Sequence, residues 1–490
     1  MDKKDLMDKL DAMFFPKSLA IIGASNVPGK WGFLIINSIL GKGYKGKIFP
    51  VNPKQEIILG LKAYPRLDAI PEDIDLAILI IPARLIPDAL RDCIARDIHA
   101  AVIITSGFKE AGEVGAALEE EITEIARQGD LVFIGPNTMG IASEYNNLEA
   151  IPAPMGANQG GLGIISQSGN LGLQIMQWFA HKEIGLSFYS GTGNEALLKA
   201  NDLLAYFGYR DEVTAIAMYI EGIENGREFK EIARQVTKKK PVIALKSGRS
   251  QRGSKAAQSH TGSMAGSFAI YSAMFKQTGI IQVRTPSELL NIAGAMAHLP
   301  VPRSNRVGIM SLGGGWGIIA ADECEDAGLV LPKLPDDIIK DLDTHLPEYW
   351  NRSNPIDIVG ESDPDMYIYI MEVLARWDEV DSIIALGIVG RSGYLQDFIE
   401  CQEKIDGKLF SRELKLSLLK DQLKSERRVI TEMARLQDQT NKPIIVVSLA
   451  EGGLSIEDTE YGRSLSLSTP EEAVNIIAHM VHYRAYLDHP

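Results

Sequence analysis

The chain reads as an α/β protein made of three consecutive doubly wound parallel-sheet domains, Rossmann-like or flavodoxin-like. Three observations predict this. Short β-branched runs alternate with helix-period stretches along the whole chain, the mark of βαβ units. At 490 residues, and roughly 150 residues per domain, there is material for about three cores. Glycine- and hydroxyl-rich turns follow several of the strands, where parallel sheets place their ligands.

The first block, 1–147, opens with a strand at Leu19–Gly23, a helix over Trp31–Leu40 and a strand at Lys47–Asn52. A strand at Leu76–Ile81, a helix over Pro87–Asp97 and a strand at Ala101–Thr105 continue it. A helix over Val114–Gln128 and a strand at Leu131–Ile134 close it. The second block, 148–300, carries strands at Gly163–Ser166, Val213–Ile220 and Pro241–Leu245, with helices over Leu171–Ala180 and Met264–Lys276. Pro300-Val-Pro302 reads as a linker. The third block, 301–490, has strands at Arg306–Ser311, Ser382–Leu386 and Pro443–Val447, and a glycine turn at Gly313–Gly317 opening a helix to Ala327. Leu409–Gln439 is a long mixed-charge amphipathic stretch, and Thr469 caps a C-terminal helix ending near Tyr486.

Composition narrows the function. Fifty Lys and Arg against 64 Asp and Glu leave a net charge of −14, which argues against nucleic acid or an anionic membrane as the main partner. Three cysteines, with no CxxC spacing, give no disulfide or zinc framework, so no metal site is expected in this chain. The first ten residues are too charged for a signal peptide. No apolar run reaches the roughly 18 residues a membrane span needs. A cytoplasmic protein is the expectation.

Four turns carry candidate chemistry. Gly23-Ala24-Ser25, continuing to Gly29-Lys30, joins a strand to a helix without matching GxGxxG or GxxxxGK[ST]. It suits a pyrophosphate at a helix N-terminus, or it is a plain turn. Lys54, after the second strand, suits a phosphorylated ribose of coenzyme A or NADP, or is a solvated lysine. Ser166-Gln-Ser168-Gly169 opens a second helix, where Ser168 either caps the helix or helps hold phosphate. Gln258-Ser259-His260-Thr261-Gly262 opens a third, and a histidine at such an anion site can bind phosphate or carry it. Glu221 ends a strand; if His260 lies close, the carboxylate can accept its Nδ1 proton and free Nε2 as the nucleophile.

In order, Pro16–Ser25, Val51–Lys54, Ile134–Asn137, Ile165–Gly172, Tyr219–Gly222, Leu245–Arg249, Ser259–Gly262, Gly313–Gly315 and Asn354–Gly360 resemble the α subunits of ADP-forming acyl-CoA synthetases, relatives of succinyl-CoA synthetase. The resemblance spans about residues 14–460. It implies a CoA-binding first domain, a second domain carrying a phosphohistidine at His260 supported by Glu221, and a third α/β domain. It places phosphate at Ser166, Ser168, Gly169, Ser259, Thr261 and Gly262. It places coenzyme A against Gly23, Ala24, Ser25, Lys54, Pro82, Thr105, Ser106, Gly107 and Asn137. Thr138 departs from the family's usual cysteine, and the span from Gly390 to Lys442 is longer than usual. The reaction implied joins an acyl-CoA, phosphate and ADP to give the acid, coenzyme A and ATP. Mg²⁺ and ADP or ATP are expected on a separate ATP-grasp β subunit, in a hetero-oligomer. A silent CoA-binding regulator of the same fold is the alternative, and a nicotinamide-dependent redox protein is disfavoured by the missing GxGxxG and by Lys54.

Overall fold

The computed structural model describes residues 3–253, 255, 267–360, 363–406, 411–448 and 454–489. The chain divides into two compact units, Met1–Ala297 and His298–Pro490.

The first unit opens on helix α1 (Lys3–Phe14) and contains two sheets. Strands β1 (Ser18–Ile22), β2 (Lys47–Val51), β5 (Leu76–Leu79), β6 (Ala100–Ile103) and β7 (Val132–Ile134) form a parallel sheet in the order β2-β1-β5-β6-β7. The short hairpin β3 (Ile57–Ile58) and β4 (Leu61–Lys62) lies between β2 and β5 in sequence. Every residue of β1 and β5 is buried. This explains their unbroken apolar runs, since helices cover both faces of a parallel sheet. The chain leaves β1 through helix α2 (Trp31–Lys42) to one side and crosses to β5 on the other. The end of β1 is therefore a switch point, with a crevice outside it.

The second sheet repeats the plan. Its order is β14-β13-β12-β10-β11-β8-β9, with β10 at Gln159–Ser166, β11 at Leu186–Gly191, β12 at Ala215–Ile220, β13 at Val242–Lys246 and β14 at Ile281–Val283. These five run parallel. β8 (Ile141–Ser143) and β9 (Leu148–Ala150) add an antiparallel edge that the sequence reading did not foresee. The switch point is the end of β10, where helix α5 (Gly169–His181) begins. One contiguous apolar core runs from Leu10, Phe14 and Ile21 through Ile165 and Phe188 to Phe275. Within it Phe14 stacks on Tyr206 at 5.3 Å and meets Phe188 edge-on at 5.4 Å. Both switch points thus belong to one packed body.

The second unit holds β15 (Val307–Ser311), β16 (Ile356–Asp357), β17 (Ser382–Leu386) and β18 (Ile444–Val447) in parallel, with a hairpin of β19 (Ser455–Thr459) and β20 (Gly462–Leu467) at one edge. The expected glycine turn starts a helix at Gly314–Asp326. The long mixed-charge stretch is a 29-residue helix, Arg412–Thr440, preceded by a separate helix, Ser392–Asp406. Thr469 Oγ1 accepts the Glu472 N–H at 3.4 Å and caps the last helix, Pro470–Asp488. No helix among the described residues is long and apolar enough to cross a membrane.

Candidate functional site

The two switch points of the first unit open into one cleft of about 1360 Å³. Its wall brings together Gly23, Ala24 and Ser25 after β1, Pro82 after β5, Thr105 and Ser106 after β6, Asn137 after β7, Ser168 and Gly169 after β10, and Glu221 after β12. Lys54, Gly107 and Ser166 are not among the lining residues. His260, Ser259, Thr261 and Gly262 lie outside the described residues.

The turn after β1 is closed by close approach. Gly23 has φ +97°, and a Cβ there would stand 2.2 Å from the Ile80 carbonyl oxygen. A Cβ on Gly32, in the first turn of α2, would stand 2.1 Å from the Gly23 oxygen. Strand, turn and helix therefore touch backbone to backbone, and the α2 entrance, Lys30 to Gly32, lines the cleft, where a helix N-terminus favours an anion. Asn52 Nδ2 donates to the Ala24 carbonyl at 2.8 Å, and Asn52 Oδ1 accepts the Lys54 N–H at 2.8 Å. Lys54 itself is exposed. Trp31 lines the mouth with 41% of its surface exposed.

The remaining first-block loops brace one another. Thr105 Oγ1 donates to the Ile81 carbonyl at 2.7 Å, tying the end of β6 to the end of β5. Asn137, at φ +59°, donates its N–H to the Thr105 carbonyl at 2.9 Å. Thr138 is buried; its hydroxyl donates to the Gly191 carbonyl and accepts the Gly140 N–H at 3.1 Å. The residue in the usual cysteine position thus staples β11 to the β7–β8 turn.

The α5 entrance is equally tight. Ser166 is fully buried, and its hydroxyl donates to the Ser168 carbonyl at 2.8 Å. Ser168 stands at the N-cap, but its side chain makes no capping bond. The first-turn N–H groups are thus left to the cleft. Between the α5 entrance and Glu221 stands Gln167. Its Oε1 accepts the N–H groups of Glu221 at 2.5 Å and Gly222 at 3.0 Å. Its Nε2 donates to the Gly222 carbonyl at 2.7 Å and to Glu195 Oε1 at 2.9 Å. The amide behaves as an extra peptide unit paired with the end of β12, and it fixes the backbone from which Glu221 projects.

Glu195 completes this arrangement. It lies at φ +57° and also accepts the Ala200 N–H at 3.2 Å. Burial pushes its carboxyl up, against the hydrogen bonds from Gln167 and Thr192. Burial pushes the Glu110 carboxyl up too, but hydrogen bonds from Asn194 and the N–H groups of Gly107 and Phe108 outweigh it and hold Glu110 below its usual range. Behind Glu221, burial lowers the pKa of the Lys246 ammonium, while the Glu221 carboxylate opposes that fall. Lys246 Nζ sits 4.7 Å from the Tyr271 ring centre and donates to the Ser247 carbonyl at 2.6 Å.

Gln167, Asn194 and Glu195 were not singled out from sequence. Glu195 follows β11, a strand the sequence reading did not mark, so the rule that ligands gather at strand ends was never applied there. Gln167 stood inside a marked motif, but its role depends on the end of β12, 54 residues away.

The chain can be set beside known proteins. Residues 17–144 match the CoA binding domain, 159–296 the succinyl-CoA ligase like flavodoxin domain and 307–389 the ligase-CoA domain. The alpha subunit of acetate–CoA ligase (ADP-forming) II of Pyrococcus furiosus is 42% identical over 381 residues, covering 78% of this chain and 82% of that one. The ADP-forming acetate–CoA ligase of Methanocaldococcus jannaschii is 41% identical over 357 residues, which is 73% of this chain and 50% of that protein. Among solved structures, the dinucleotide-forming acetyl-coenzyme A synthetase 1 of Ca. Korarchaeum cryptofilum, in complex with phosphate and ADP, superposes with a TM-score of 0.82 at 29% identity and 98% coverage of both chains.

Proposed function

Because the chain belongs to the family of ADP-forming acetate–CoA ligase alpha subunits, we propose that it is the subunit that handles coenzyme A and phosphate in a reversible acyl-CoA synthetase. In the ATP-forming direction, an oxygen of inorganic phosphate attacks the thioester carbonyl. The carbon–sulfur bond breaks, giving an acyl phosphate and coenzyme A. Nε2 of His260 then attacks phosphorus, the carboxylic acid leaves, and the phosphohistidine passes its phosphoryl group to ADP. That last step is assigned to a partner subunit of ATP-grasp type, where Mg²⁺ would neutralise the nucleotide phosphates. An alpha subunit has a partner by definition. The Methanocaldococcus relative, of which the match covers only half, leaves room for such a portion.

The observation that carries the reading is the single cleft. Two helix entrances, α2 and α5, and the carboxylate of Glu221 converge in one cavity of the first unit. The α2 entrance, with Ser25, Asn52, Thr105 and Ser106 around it, suits the phosphates of coenzyme A. The α5 entrance with Ser168 and Gly169 suits the phosphoryl group in transit, where fixed dipoles stabilise charge spread over its oxygens. Glu221 would hold the imidazole tautomer of His260 that leaves Nε2 free. The acyl group is taken to be small, acetyl or a near homologue, after the acetate ligases among its relatives.

The test is direct. The purified chain, with its partner subunit, is incubated with ATP labelled at the γ-phosphate. An acid-labile, base-stable label on this chain is expected, absent in His260→Ala, while calorimetry shows coenzyme A still binding that variant. Label that persists in His260→Ala refutes the nucleophile. A chain that binds no coenzyme A refutes the cleft assignment.

A further inference from the structure

The segment Thr192–Glu195, which follows β11, stands between the two halves of the cleft. On one side it is pressed against the turn after β7. A Cβ on Gly193, at φ +61°, would stand 2.3 Å from the Pro136 carbonyl oxygen. The Asn194 N–H donates to that oxygen at 2.8 Å, and Asn194 Nδ2 donates to Glu110 Oε2 at 2.6 Å. On the other side the Thr192 N–H donates to the Ser166 carbonyl at 2.9 Å, and Glu195 Oε1 accepts Gln167 Nε2 at 2.9 Å. Asn137, Gln167, Asn194 and Glu195 line the same cavity. Glu195 therefore sets a carboxyl group where the coenzyme A half of the cleft meets the phosphate half.

The backbone does not ask for a glutamate there. Its φ of +57° lies in the left-handed region, which glycine or asparagine takes with less strain. Residues held in such conformations gather at functional sites. The bracing of its neighbours needs only an acceptor oxygen. Gln167 Nε2 and the Ala200 N–H, at the start of helix Ala200–Tyr209, both donate to Oε1. A glutamine would accept those bonds as well. A carboxyl differs from that amide in being able to give up a proton. Burial raises its pKa, against hydrogen bonds from Gln167, Thr192 and the Ala200 N–H and against the charge of Lys109. The other titratable groups around it are Tyr271, on helix Phe268–Thr278, which feels its charge, and Glu110, Glu221 and Glu224 on the cleft wall.

The thioester is the point of an acyl-CoA that phosphate must reach, so it belongs at this seam. Its cleavage releases sulfur as a thiolate unless a positioned acid supplies a proton, and such an acid works best with a pKa near the working pH. We infer that Glu195 is the general acid that protonates the departing sulfur of coenzyme A. The inference rests on the acyl-CoA reaction proposed above. A hydrogen phosphate oxygen bonds to the thioester carbon, and the carbon–sulfur bond breaks with its electron pair on sulfur. Glu195 gives sulfur its proton and then takes the proton that the hydrogen phosphate carried. Acyl-CoA and hydrogen phosphate thus become acyl phosphate and the free thiol, with Glu195 returned to its acid form. In the reverse direction its carboxylate takes the thiol proton.

The test uses this chain with its partner subunit, in excess over acetyl-CoA. Phosphate is added without nucleotide, and free thiol is read over a single turnover. Glu195→Gln should slow thiol release about a hundredfold or more. The same variant should take label from γ-labelled ATP at the rate of the unmodified enzyme, and bind coenzyme A as tightly by calorimetry. A residue that only braced Gln167 and Glu221 would lose the label too. Thiol release by the unmodified enzyme should fall as pH rises through the pKa of Glu195, because the acid form is the donor. Glu195→Gln should lack that limb, whereas the titration of phosphate itself is common to both proteins. Undiminished thiol release in Glu195→Gln, an equal loss of thiol release and label, or the same pH profile in both proteins overturns the inference and leaves the proposed function standing. An unmodified enzyme that neither releases thiol nor takes label overturns both.

Discussion

Gln167→Glu replaces an amide by an isosteric carboxylate where the ends of β10 and β12 meet. The acceptor side of the amide survives, because a carboxylate oxygen can still receive the N–H groups of Glu221 and Gly222 that lie 2.5 and 3.0 Å from Oε1. The donor side is lost. Gly222 O, at 2.7 Å, and Glu195 Oε1, at 2.9 Å, would each face an oxygen. Losing a bond to a charged acceptor and one to a carbonyl costs about 2–4 kcal/mol together. A second carboxylate beside Glu195 adds repulsion of about the same order if both ionise. The expected loss is thus about 3–6 kcal/mol above neutral pH, enough to release the Glu221 backbone from its fixed position. Protonation reverses the sign. A neutral carboxyl at position 167 donates again, and burial already favours the protonated form of its neighbour Glu195. The pair should therefore hold one proton below neutrality, and the variant should regain stability as pH falls. Urea denaturation at several pH values, and the yield of acid-labile phosphoryl label over the same range, would measure this. The gain on acidification should exceed that of the unmodified chain over the same range. A Gln167→Glu chain as stable and as readily labelled at pH 8 as the unmodified one would refute the idea that this amide holds Glu221 in place.

Other expectations follow from the same structure. Gly23→Ala forces a Cβ to within 2.2 Å of the Ile80 oxygen at φ +97°; it should cost about 2–4 kcal/mol and weaken coenzyme A binding by calorimetry, whereas Gly29→Ala, with no atom within 4 Å of its Cβ, should cost only the penalty of its positive φ. Glu144, buried beside Lys42 and Glu149, is pushed up to about 7, chiefly by burial. Its folded-state pKa exceeds the unfolded value, so its contribution favours folding below about pH 4.5 and is lost as pH rises toward 7, on the order of 3 kcal/mol. Denaturant titrations at pH 5 and 7.5 should show that slope, and Glu144→Gln should flatten it. Trp31, on the cleft mouth, should report coenzyme A through its fluorescence, and Trp31→Phe should remove most of that change.

What the sequence determined by itself was whatever rests on local periodicity and on the order of short motifs. Unbroken apolar runs such as Leu-Ala-Ile-Ile and Leu-Ala-Ile-Leu mark strands buried on both faces, because a parallel sheet covered by helices demands them. Gly23 marked a turn that no larger residue fits. Beyond six of the marked strands of the first unit, the next residues lie on one cleft, since doubly wound sheets send their strand ends to the same side. What only the tertiary structure decided depends on contacts distant in the chain. The antiparallel β8–β9 edge is too short for period-two alternation to register. Lys54 had a persuasive local setting, yet the wall of the cleft passes through Asn52 instead, whose side chain reaches back to Ala24. Gln167 acquires its role only where the ends of β10 and β12 lie side by side, and Glu195 only because the chain turns at a left-handed residue to bury a carboxylate against that amide. A pattern along one strand holds no information about which strand will stand next to it, and pairing across 54 residues is settled by how the sheet is wound.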